Sequence, residues 1–141
     1  MKKLRDTVQV TYNENGWRMT AAVRNICDIF DEASNLLSAN DVTSSLVVQG
    51  NITDITTVYR ILERFETMGV IHKIGKKFIK CKDPTNQHQQ HHFLICDRCD
   101  KAEEIFLNYK ESIASQLKNE KGFTLKDVDM TFHGRCRDCQ G

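Results

Sequence analysis

The stretch DITTVYRILERFETMGVIHKIGKKFIKC, residues 54–81, decides how this chain folds. Its first part sets Ile55, Val58, Leu62 and Phe65 at helical spacing behind Thr53 or Asp54 as the start signal, and Gly69 stops the helix. Beyond the glycine the period changes. Residues 70–74 and 77–81 are two short strands joined by Gly75-Lys76, a tight hairpin turn. The residues before this stretch supply helices to cover its apolar stripe. Residues 1–15 form a short helix ending near Asn15-Gly16, and Thr20 caps a second that carries Val23, Ile26, Cys27 and Phe30 at helical spacing. Ser38 with Asp41 makes a capping box for another, with Val42 and Leu46 inside, and Gly50 turns the chain. Helices followed by a two-stranded wing predict a winged helix-turn-helix.

In that fold the second helix of the helix-turn-helix enters the major groove, its N-terminal half toward the base edges. Thr56, Thr57, Arg60 and Arg64 lie off the apolar stripe, with Tyr59 at its boundary. Thr56, Arg60 and Arg64 repeat at i, i+4 and i+8, one ridge of hydroxyl and guanidinium groups. Arg60 suits guanine O6 and N7, and the threonines suit phosphates or a thymine methyl. Lys73, Lys76, Lys77 and Lys80 equip the hairpin for backbone contact. Charge alone would favour a merely solvated helix; the order of elements reverses that and turns the reading toward double-stranded DNA.

Composition narrows the function classes. The chain has 141 residues, 40% apolar and 28% charged, as in an ordinary soluble protein. No apolar run approaches the length of a membrane span and the start lacks a secretory h-region, so a cytoplasmic protein is expected. Six cysteines then point to metal ligands or redox thiols rather than disulfides. Residues 1–82 carry 12 Lys+Arg against 9 acidic residues, whereas 83–141 carry 8 against 10. We therefore expect a winged-helix DNA-binding domain over 1–82, a linker over 83–90 that holds the only proline, and a second domain over 91–141. No nucleophile–base pair or phosphate loop appears, so neither an enzyme nor a small-molecule substrate is expected.

The second domain reads as strands at 92–96, 102–106 and 125–132 with a helix at about 108–120, a small α+β unit in need of a staple. Cys96-Asp97-Arg98-Cys99 and Cys136-Arg137-Asp138-Cys139 provide it. Two residues between thiolates let both sulfurs face one ion, and two such knuckles close a tetrahedral four-sulfur zinc site. The alternative is redox, each pair forming a disulfide or a reactive dithiol; a redox motif normally comes as one pair at a helix N-terminus. The overall class is α/β, of the α+β kind.

These residues also carry a family resemblance. Thr57-Val58-Tyr59-Arg60, Gly69-Val70-Ile71 leading into the wing, and His91-His92-Phe93-Leu94-Ile95-Cys96-Asp97-Arg98-Cys99 together resemble the ferric uptake regulator family, and Ser38-Ala39-Asn40-Asp41 and Gly134-Arg135-Cys136 fit as well. The resemblance runs from about residue 18 to the end. It implies a metal-sensing, homodimeric, mostly repressive transcription factor with a C-terminal dimerisation domain and a pseudo-palindromic operator. The family's usual Thr-Pro-x-Arg segment reads Thr20-Ala21-Ala22-Val23-Arg24 here, without the proline and with the arginine displaced.

A sensor site belongs where closing it fixes the angle between the two parts, and His72, Cys81, His88, His91, His92 and Glu104 are candidates there. Thiolate, imidazole and carboxylate form a borderline-soft set that suits zinc better than ferrous iron or manganese. Singly, Cys81 would pass for a buried small hydrophobe and His72 for a solvated wing residue. Within the family, Val70-Ile71-His72-Lys73, Cys81 fifteen residues before Cys96, and Glu104 are closest to the zinc uptake regulator branch. That resemblance implies His72, Cys81 and Glu104 as sensory ligands with one linker histidine. Its expected position holds Gln89, so His88 is the nearest replacement and His91 the next. The expectation is a repressor of zinc-uptake genes with two Zn2+ per chain, one structural and one regulatory. A sibling metal- or peroxide-responsive regulator, a thiol-zinc redox switch and a zinc-ribbon protein-interaction module are the alternatives.

Overall fold

A computed structural model of the chain describes residues 2–82, 92–106 and 110–140. The chain divides into two compact units, Met1–Gln87 and His88–Gly141. The expected 83–90 linker, with His88, lies outside the described residues, as does His91.

The first unit runs α1 (Leu4–Glu14), α2 (Ala21–Glu32), β1 (Leu37–Ser38), α3 (Ala39–Val48), α4 (Ile55–Thr67), β2 (Ile71–Ile74) and β3 (Lys77–Lys80). Each expected cap is made by a side chain. Thr20 Oγ1 accepts the Val23 N–H at 3.3 Å, and Asp54 Oδ1 accepts the Thr57 N–H at 2.9 Å. Ser38 and Asp41 close a reciprocal capping box at 3.0 and 2.8 Å. Helical periodicity puts Leu4, Val8 and Tyr12 of α1 in one core with Ile26 and Phe30 of α2, Val42 and Leu46 of α3, and Phe78 of the wing.

Two expectations change in this unit. The stripe that α4 buries is Val58, Ile61, Leu62 and Phe65, and Ile55 stays outside, 39% exposed. Ile55 occupies the first helical turn, where the chain has not yet met the core. The hairpin is also joined by β1, which pairs antiparallel with β3 through Leu37↔Phe78 and gives a three-stranded sheet in the order β1-β3-β2. Asp31 of α2 fastens that sheet to α1: its carboxylate accepts the Leu4 N–H at 3.1 Å and the Lys80 ammonium at 2.5 Å.

The second unit has β4 (His92–Cys96), β5 (Ala102–Ile105), α5 (Lys110–Lys121), β6 (Thr131–Gly134) and a 3-10 turn (Arg137–Cys139). The central strand β4 pairs antiparallel with β5 and parallel with β6. The strand expected over 125–132 is thus shorter and later. The Met130 N–H donates to His92 Nδ1 at 3.2 Å and its carbonyl accepts the Phe93 N–H at 3.1 Å, so pairing with β4 begins only there. Before it, Lys126, Asp127 and Asp129 interrupt the apolar alternation. Phe93, Ile95 and Cys96 are buried on β4, whereas α5 and β6 contain no buried residue, and Leu94 and Phe132, partners in the β4–β6 register, are both exposed. Among the described residues no helix is long and apolar enough to cross a membrane.

Candidate metal centre and nucleic-acid interface

The four knuckle cysteines meet because of strand register. Cys96 ends β4 opposite Gly134 of β6, and two more residues bring Cys136 alongside it. The Asp97 N–H donates to the Gly134 carbonyl at 2.8 Å and ties the two knuckles together. Each knuckle then folds back on itself: Asp100 N–H to Cys96 O at 3.0 Å, with Asp100 in the left-handed region at φ 57°, and Cys139 N–H to Cys136 O at 3.0 Å. All four sulfurs lie within 4.8 Å of one another, and Cys99 Sγ is 3.8 Å from Cys136 Sγ. Four sulfurs held about 2.3 Å from a central ion would stand about 3.8 Å apart along each tetrahedral edge. The donor set therefore fits a tetrahedral thiophilic metal in both chemistry and spacing.

Backbone N–H groups of Cys136 and Cys99 aimed at its sulfur hold the Cys96 thiol down at about 6. The hydrogen bond with Cys136 pushes Cys139 up to about 12. Cys27, by contrast, is a core residue of α2 whose thiol is pushed up to about 12 by burial, and among the described residues it belongs to neither group of candidate ligands.

The wing carries a second donor pair. The Cys81 N–H donates to the Val70 carbonyl at 2.9 Å and His72 pairs with Ile79, so positions 70, 72, 79 and 81 share one face of the hairpin. The His72 and Cys81 ligand atoms lie within 4.8 Å of each other, and Cys81 is buried. Glu104 is a buried carboxylate on β5, opposite Phe93. His92, a candidate from sequence, sits within β4, where its Nδ1 is taken by the Met130 amide.

On α4, Thr56, Tyr59 and Arg60 are exposed and Thr57 is half-buried. Arg64 departs from the expected ridge. Its guanidinium carbon lies 4.3 Å from the Trp17 ring centroid and 5.6 Å from that of Tyr12, and the two rings meet edge to face at 5.4 Å. Such stacking is worth about 0.5–2 kcal/mol and turns Arg64 toward α1. Trp17 and Asp31 were not legible as functional from sequence, because each acts on a residue far along the chain. At the wing, Lys76 is exposed in the hairpin turn, Lys77 is half-buried at the start of β3, and Lys80 is engaged by Asp31.

Comparison with known proteins places this architecture. Residues 14–133 match the model of the ferric uptake regulator family. The ferric uptake regulation protein of Synechococcus elongatus is 29% identical over 140 residues, covering 95% of this chain and 93% of that protein. A structure of a zinc uptake regulator complexed with zinc and DNA superposes with a TM-score of 0.76 at 22% identity, over 96% of this chain and 92% of its own. The ferric uptake regulator of Francisella tularensis with iron gives 0.66 at 27% identity, over 89% and 96%. Iron-named and zinc-named proteins thus share the fold, and similarity alone does not separate them. What the family match does establish is that this chain belongs to the ferric uptake regulator family, as a metal-responsive, DNA-binding regulator of transcription and not an enzyme.

Proposed function

We propose that the chain is a homodimeric repressor of zinc-uptake genes that binds a pseudo-palindromic operator when zinc is plentiful. The observation that carries this reading is the His72–Cys81 pair on one face of the wing. A thiolate beside an imidazole favours zinc over the harder ferrous or manganous ions. His72, Cys81, Glu104 and one linker histidine, His88 or His91, would hold the regulatory zinc; Cys96, Cys99, Cys136 and Cys139 would hold a structural one. A metal held by these residues would crosslink ligands from both halves of the chain, and a preference of zinc for the DNA-competent state by about 1–3 kcal/mol would suffice for a switch. The exposed Leu94–Phe132 face and the unburied α5 support assembly of residues 91–141 with a second copy. Thr56, Thr57, Tyr59 and Arg60 would meet the major groove, and Lys76 and Lys77 the backbone.

Cobalt tests the sensor. With zinc kept in the knuckles, cobalt in the second site should give a sulfur-to-cobalt charge-transfer band, and Cys81→Ser should abolish both that band and the zinc-dependent gain in operator affinity. Zinc-stimulated DNA binding that survives in Cys81→Ser overturns the site.

A second reading, the thiol-zinc redox switch, draws on the lowered Cys96 thiol within the cluster. Against it, Cys96 is buried at the end of β4. Zinc release and disulfide formation under mild peroxide at unchanged fold would decide for the switch.

A further inference from the structure

Because the core of the first unit takes Val58, Ile61, Leu62 and Phe65 from α4, Ile55 is left on the outside, with Tyr59 one turn further on. Ile52, two residues before the Asp54 cap, is 91% exposed, and Tyr59 is 47% exposed. Ile55 and Tyr59, at i and i+4, make an apolar ridge that runs beside Thr56 and Arg60, and Ile52 precedes it in the chain. Ile55 and Tyr59 share one ridge, and exposed apolar side chains grouped in this way mark a contact surface. The Asp54 carboxylate in their midst caps α4 through the Thr57 N–H, which makes this end of the helix a poor seat for phosphate.

The surface is continuous with the residues that read DNA in a helix-turn-helix, the N-terminal half of the second helix. In the major groove the one apolar group on offer is the thymine 5-methyl. We infer that Ile52 and Ile55 read thymine methyl groups, so that the operator carries A·T pairs at a fixed offset from the guanine paired by Arg60. The inference rests on the assignment of α4 as the reading helix. Five residues at 1.5 Å each separate Ile55 from Arg60 by about 7.5 Å along the axis, which is about two steps of 3.4 Å on one DNA strand. The thymine should therefore lie within about two to three base pairs of that guanine.

Deoxyuridine lacks only the 5-methyl and keeps its base pairing, so it isolates the contact. The zinc-loaded chain is used to select duplexes from a random-sequence library, and the selected site is rebuilt with deoxyuridine at each thymidine in turn. Each read position should lose about three- to fourfold in affinity, the value of one buried methyl. Ile52→Ala and Ile55→Ala, both surface changes, should each bind thymidine and deoxyuridine duplexes equally at one position while the guanine preference persists. Equal affinity of the unaltered protein for both duplexes overturns the inference, as does an unchanged ratio in both variants. If Ile52→Ala instead lowers the number of chains bound per duplex at an unchanged ratio, the patch is a protein contact and the inference is wrong. Selection of no sequence at all would overturn the reading role of α4 itself.

Discussion

Removing the metal from the knuckles should unfold one half of the molecule and spare the other. Among the described residues of the second unit, the fully apolar side chains that are buried are Phe93 and Ile95. At about 1.5–3 kcal/mol each they contribute about 3–6 kcal/mol together, against on the order of 10 kcal/mol from a structural zinc. A structural zinc bound there would therefore outweigh the apolar core, and Cys136→Ser leaves three sulfurs of the four. The first unit has its own core, from Leu4 of α1 to Phe78 of the wing. Hydrogen exchange read by mass spectrometry separates the two. In Cys136→Ser, or after exhaustive chelation, protection of the β4, β5 and β6 amides should vanish while α2 and α4 keep theirs. Metal-free protein that protects β4 as well as the loaded protein does would refute this, because two buried side chains would then have been enough.

The DNA face and the helix caps can be tested in the same way. Arg60→Ala should cost about 1–3 kcal/mol on the cognate operator and relax its base preference, whereas Lys76→Ala should weaken all duplexes alike; competition binding at fixed salt distinguishes them. Arg64→Lys should lower the melting free energy of the first unit by about 0.5–1 kcal/mol, since an ammonium loses the planar stacking on Trp17, and an unchanged melting curve would refute the contact. Hydrogen bonds from the Ser38 N–H and hydroxyl hold the Asp41 carboxyl below its usual range. Its contribution is therefore present above the ordinary carboxylate pKa and is lost as pH falls through the lowered one, and Asp41→Asn should flatten that part of the acid limb in a denaturation series.

What the sequence made legible is what short-range chemistry fixes. Thr20, Ser38 with Asp41, and Asp54 cap their helices through bonds three residues away, so their placement follows from local order. The CxxC spacing likewise announces four ligands, although the meeting of Cys136 with Cys96 depends on the parallel pairing of β6 with β4. Where two registers of one stripe were nearly equal, tertiary packing chose: Ile55 and Ile61 both suit the period, and the core accepted Ile61. The two-residue strand Leu37–Ser38 is too short to carry a pattern and exists through Phe78, far along the chain. The Asp31–Lys80 pair is non-local in the same way, its partners 49 positions apart. The candidate sensor pair was visible as residue types; that His72 and Cys81 share a face came from the hairpin register.

The chain has one tryptophan, and the fold has set it under the Arg64 guanidinium of α4. Indole emission responds to nearby charge and to water, and Trp17 has both, being 37% exposed with Arg64 at 4.3 Å. Tyr12, 5.4 Å away ring to ring, is close enough to pass its excitation on. The protein thus carries a native optical gauge of the seam between α1 and α4. If α4 tilts or tightens on binding DNA, the distance between cation and ring changes, and the colour and yield of the light should change with it. An operator or metal that moves α4 should then be detectable in unlabelled protein by its own fluorescence.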